Sequence, residues 1–239
     1  MATNVSAATM INIETFSVAD YQSAVGGVSV LSVEDFEGFD LNAGPTPNSY
    51  QSPAISTAVG DFSVSPGSLP GSGGTVTNPN PDLDGNQLAV RNGNVFGRSD
   101  STKLVDETQP GASQFLDSND VAEFQWDAKL PGDALFNTLI WVMSDATDQG
   151  AKLTITAGED MATADLFPKL PNGNRQIVKV TFMTAVDQAS LFFENTKKND
   201  GLSIDDVAAG LAPVPLPAPI LLLGAGLAGL GLMRRKTSA

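Results

Sequence analysis

The residues of this chain that can do chemistry are mostly oxygen donors. Asp117-Ser118-Asn119-Asp120 places carboxylate, amide and hydroxyl oxygens within a short stretch, the donor type that calcium takes from loops. Asp117, Asn119 and Asp120 are the candidate calcium ligands. The competing reading is an ordinary turn, because turns favour the same residue types. Asp82-Leu83-Asp84-Gly85-Asn86 is a fragment of an EF-hand pattern without a Glu at the required spacing. Further acidic pairs stand at Asp145 and Asp148 and at Asp205 and Asp206. Two carboxylates can hydrolyse a glycoside, yet among 27 acidic residues no spacing marks out a catalytic pair. Trp126 and Trp141 are able to stack on a sugar ring, but both fall in strong strand patterns and read as core.

The missing residue types narrow the chemistry further. The chain has no Cys and no His. A thiol nucleophile, a disulfide framework, a Ser-His-Asp triad and a conventional zinc site are all excluded. No catalytic residue is assigned and no cofactor is expected beyond calcium, so the chain reads as a non-enzyme. The net charge is −14, and the first 90 residues hold no Lys or Arg at all. Three of the 13 basic residues lie within the last six positions. The acidic body repels nucleic acid phosphates and anionic lipid, so nucleic acid is not an expected partner.

Strands are the elements that must position these residues. Ala122, Phe124 and Trp126 alternate with Glu123, Gln125 and Asp127, giving one buried and one wet face. Leu153, Ile155 and Ala157 alternate with Lys152, Thr154 and Thr156, and Val178, Val180 and Phe182 with Lys179 and Thr181. Leu135 to Met143 is apolar on both faces and predicts a central strand. Shorter strands are expected at Met10 to Phe16, Asp61 to Ser65, Leu88 to Arg91, Ser190 to Glu194 and Leu202 to Val207. One helix is expected from a Ser17 cap, with Asp20 three residues later, to about Val25. A linker is expected from about Gly44 to Ile55. With 23 Gly and 15 Pro supplying turns, residues 9–208 predict an all-β domain, an antiparallel β-sandwich or jelly roll.

The C-terminus has a different character. Val214-Pro215-Leu216-Pro217-Ala218 follows a linker from residue 209 and precedes an uncharged apolar run from Pro219 to Met233 and the basic end Arg234-Arg235-Lys236. The run predicts a transmembrane helix over 219–233. As a helix it spans about 22 Å, short of a hydrocarbon core of about 30 Å, and snorkelling arginines help to close the gap. Arg234, Arg235 and Lys236 form a membrane stop that stays cytoplasmic, which leaves the acidic body outside the inner membrane. Gly224-Ala225-Gly226-Leu227-Ala228-Gly229 matches a dinucleotide pattern, but it lies inside this apolar run, where small residues serve close helix packing.

Motif, apolar run and basic end, in that order, resemble the PEP-CTERM class of bacterial sorting tails in its VPLPA variant. The resemblance implies recognition and cleavage by an exosortase, a transpeptidase-like membrane protease. It further implies transfer to the cell surface or release from bacteria that make extracellular polysaccharide. Residues 1–8 are expected to be the remnant of an export signal, with Val5-Ser6-Ala7 like the end of a cleavage site. Asp200-Gly201-Leu202-Ser203-Ile204-Asp205-Asp206-Val207 is similar to the closing strand of lectin-like β-sandwich domains that precede such tails, although Leu202 stands where an aromatic is more usual. Gly85 to Arg91 and Leu116 to Asp120 share that similarity. Two functions follow as expectations: a surface-sorted, non-catalytic envelope or matrix protein, or a lectin-like module binding exopolysaccharide with or without calcium.

Overall fold

A computed structural model of the chain describes residues 11–17, 21–41, 49–65, 87–92, 114–118, 121, 123–146, 151–165, 175–194 and 201–213. Within them the chain forms β1 (Ile11–Ser17), α1 (Tyr21–Val25), β2 (Ser29–Glu34), β3 (Ser49–Ser52), β4 (Ala54–Thr57), β5 (Gly60–Val64), β6 (Leu88–Asn92) and β7 (Gln114–Asp117). It continues through β8 (Glu123–Lys129), β9 (Phe136–Ser144), β10 (Lys152–Ala157), β11 (Asp160–Asp165), β12 (Arg175–Val186), β13 (Gln188–Glu194) and β14 (Ser203–Leu211).

Residues that alternate in polarity alternate in burial. In β8, Phe124, Trp126 and Ala128 are buried while their neighbours face outward, and β10 and β13 repeat the pattern. These strands belong to a six-stranded antiparallel sheet in the order β11-β10-β13-β8-β5-β4. The remaining strands form an eight-stranded sheet, β1-β12-β9-β14-β7-β6-β3, with β2 also paired to β14. The two sheets enclose one core, which holds the all-β sandwich expected from the sequence. Trp126 meets Trp141 edge-on at 5.6 Å between ring centres, and Phe124 and Phe193 stack at 4.6 Å. Both tryptophans are fully buried, so the core reading of these residues holds. Trp126 Nε1 donates to the Val59 carbonyl at 3.1 Å.

β9 is buried along its whole length, and the reason is a second, smaller core on the outer side of the larger sheet. There Tyr21 and Ala24 of α1 cover Ile140 and Val142 of β9, Ile177 of β12 and Ala208 of β14. A strand covered on both faces loses its alternation. Leu135, expected inside this strand, lies just before it and is 53% exposed.

Two local expectations are corrected. Ser17 is the last residue of β1, paired with Gln176 of β12, and α1 is described over Tyr21–Val25; residues 18–20, with Asp20 of the expected cap among them, lie outside the described residues. The stretch expected as a linker up to Ile55 contains β3 and the first half of β4. These are edge strands of opposite sheets, short and rich in Ser, and Pro53 marks the crossing between them, where a missing N–H is tolerated. β14 also runs to Leu211, so the sheet takes in residues expected to begin the linker. The sorting motif Val214 to Ala218, the apolar run 219–233 and the basic end lie outside the described residues. Among the described residues no helix is long and apolar enough to cross a membrane.

Candidate functional site

Alternation in the six-stranded sheet decides which side chains leave the core. The register aligns Ser56, Asp61, Asp127, Ser190, Thr156 and Met161 in one outward row. It aligns Ala54, Ser63, Gln125, Phe192, Thr154 and Thr163 in the next. The face is held together by its own polar contacts. Asp127 Oδ1 accepts from Gln125 Nε2 and from Ser190 Oγ, Thr154 and Thr163 share a hydrogen bond at 3.2 Å, and Lys152 pairs with Glu194 at 3.3 Å. Amid these groups Phe192 is half-buried, with Gln125 and Thr154 directly opposite it on either side.

At one end of this face is an open cleft of about 600 Å³ lined by Asp61, Asp127, Lys129, Asp133, Gln188 and Ser190, among others. Lys129 Nζ lies 2.9 Å from the Asp133 carboxylate, and that hydrogen bond pushes the Lys129 pKa up. A second cleft of about 590 Å³, lined in part by Leu135, Glu159, Asp160, Thr184 and Asp187, shares Gln188 with the first. Both open at the turn between β12 and β13. Together they offer hydroxyl, amide and carboxylate groups, and the first shares Asp127 and Ser190 with the row next to Phe192.

Asp117, the first candidate calcium ligand, ends β7 with its carboxylate buried. Its Oδ2 accepts from Arg91 Nε at 2.7 Å, an ion pair between neighbouring strands. Ser118 is stitched to the start of β14: its N–H donates to the Leu202 carbonyl and its Oγ accepts from the Leu202 N–H, both at 2.9 Å. Asn119 and Asp120 lie outside the described residues, as do Asp82, Asp84 and Asp148. One row across the larger sheet therefore reads Asp117, Ser203, Ser144, Arg175. Asp145, Asp205 and Asp206 are buried near it, and Asp145 and Asp206 have φ of 61° and 49°. Burial, with Asp206 and Asp205 close by, pushes the Tyr21 hydroxyl above its usual range. Among the described residues no three His, Asp or Glu side chains are grouped to hold a metal ion.

Sequence reading placed Ser190 to Glu194 in a strand but did not single out Phe192. The signal was present in Ser190, Phe192 and Glu194, which alternate with the apolar Leu191 and Phe193.

No family model matches the chain, and no curated protein matches it. Among solved structures, the chain is similar to the carbohydrate-binding module TmCBM27, whose structure is described for specific mannan recognition. The identity is 13% and the TM-score 0.28, covering 76% of this chain and 96% of that one. A TM-score of 0.28 is below that of a shared fold, so nothing about this chain is taken from it.

Proposed function

We propose that this chain is an exported, non-catalytic envelope protein whose sandwich binds polysaccharide on the outward face of the six-stranded sheet. The observation that carries the reading is Phe192, a half-buried ring flanked by Gln125 and Thr154, with Asp127 and Ser190 on the next row. A pyranose presents an apolar C–H face and a rim of hydroxyls. A ring beside a few fixed polar groups suits both parts. Asp61, Asp127, Glu123 and Glu194 outnumber Lys129 and Lys152 on this face, which favours an uncharged polymer over an acidic one.

The sorting reading supplies the location. Val214 to Ala218 presents the chain to an exosortase-type protease at the inner membrane, and cleavage passes the domain to the cell surface. Calcium at Asn119 and Asp120, with Asp117 beside them, remains part of the proposal.

The test is a glycan array probed with residues 9–213, with and without calcium, beside the Phe192→Ala variant. Binding to a neutral polysaccharide is expected. The variant should lose about tenfold in affinity, the equivalent of about 1.4 kcal/mol, in the range of an aromatic contact. Sugar binding that Phe192→Ala leaves unchanged refutes the site, and absence of binding to every neutral glycan refutes the function.

A further inference from the structure

Four exposed apolar residues gather where the chain leaves the fold. Val30, Leu31 and Val33 of β2 are 45%, 47% and 52% exposed, and Leu211 at the end of β14 is 39% exposed. The register sets Ser29 opposite Leu211, Val30 opposite Gly210 and Val33 opposite Ala208. At about 3.3 Å per residue, the whole group lies within roughly 10 Å of Leu211 along the strands.

The exit itself is fixed. Asn137, buried at the start of β9, donates from Nδ2 to the Ala212 carbonyl at 2.8 Å and accepts the Ala212 N–H on Oδ1 at 2.7 Å. One side-chain amide thus pairs with both polar groups of a backbone residue, as a neighbouring strand would. Ala212 is held to the sheet one residue beyond β14.

From Ala212 to Pro219 is seven residues, including Pro213, Pro215 and Pro217. At about 3.1 Å per residue for a proline-rich chain, that is a tether of roughly 20 Å. A short, stiff tether from a fixed exit keeps the exit region near the bilayer while the apolar run is inserted.

We propose that, before cleavage, the domain rests on the outer leaflet of the inner membrane through Val30, Leu31, Val33 and Leu211. The proposal relies on the sorting reading of the tail. The occupant is the lipid surface because the patch surrounds the origin of the one apolar segment long enough to approach membrane length. Contact is favoured with zwitterionic lipid, since the acidic body opposes anionic headgroups.

The chain lacks Cys, so single cysteines report single positions. The full chain is placed in phosphatidylcholine vesicles as Val33→Cys, Thr163→Cys or Leu222→Cys, each carrying an environment-sensitive fluorophore. Lipids brominated near the headgroup or along the acyl chain serve as quenchers. The expected result is loss of fluorescence at position 33 with headgroup bromine, at position 222 with acyl-chain bromine, and none at position 163, on the far sheet. Quenching at 222 with position 33 behaving like 163 overturns the resting surface and leaves the tail reading intact. No quenching at 222 overturns both. Contact quenching between position-33 probes on different chains, in place of lipid quenching, assigns the patch to a second copy and overturns the proposal.

Discussion

Phe192 and Phe193 are adjacent in sequence and opposite in fate. Phe193 stacks on Phe124 in the core, while Phe192 stands on the outer face beside Gln125. The period of two makes that assignment legible from sequence, because Leu191 and Phe193 fix which side is buried. The Arg91–Asp117 pair was not legible: its partners are 26 residues apart, and no local spacing connects β6 to β7. Asp117→Asn should destabilise the domain by about 3–5 kcal/mol in urea unfolding, the cost of breaking a buried ion pair from one side. The double variant Arg91→Met with Asp117→Leu should recover most of that loss, and equal destabilisation in both would show that the charges are not the cause. Glu34 gives a pH test. Burial raises its carboxyl pKa, partly offset by the backbone N–H groups of Phe36 and Ala58. The folded state therefore holds this proton more tightly than the unfolded chain. The stability it contributes is full at acid pH and is lost as pH rises through the raised pKa. Relative to Glu34→Gln, the parent should lose stability as pH is raised above the ordinary carboxylate range; parallel curves would refute this.

Strands with a wet face were read correctly because one side chain in two repeats. β9 was also legible, through its length and apolar character, but its covering by α1 was not, since Tyr21 and Ala24 lie far from it in sequence. Most of the misses are edge strands; the exception is β7, an inner strand between β14 and β6 in which Phe115 and Leu116 are both buried. β3, β4 and β11 carry few apolar residues, and β2 exposes those it has. Such strands draw their stability from ladder hydrogen bonds to an existing sheet, which leaves no periodic mark. Element geometry also makes Gly60 irreplaceable. Its φ is 115°, and a methyl group there would collide with the Asp127 carbonyl oxygen of β8. Gly60→Ala should cost about 1–3 kcal/mol. It should also disturb the cleft beside Asp127, so sugar affinity and melting temperature should fall together; a melting temperature equal to that of the parent would contradict the strain.

At the scale of the whole chain, composition spoke most clearly through its asymmetry: an acidic body, a proline-rich connector and a basic end. In cells that carry an exosortase, the mature protein should lack the peptide after the motif. Changing Pro215 and Pro217 to Ala should leave uncut protein in the inner membrane. Mass spectrometry that finds Arg234 to Ala239 on the surface-exposed protein would replace sorting by plain anchoring. The position of β14 carries a mechanical consequence. It continues toward the tail, yet it lies inside the eight-stranded sheet, hydrogen-bonded to β9 along one edge and to β7 and β2 along the other. A strand at a sheet edge peels away under tension one rung at a time. β14, pulled along its own axis, must shear many hydrogen bonds at once. Resistance to such a load is governed by the unfolding barrier and not by equilibrium stability, and in this fold the tether is attached to a strand hydrogen-bonded on both edges.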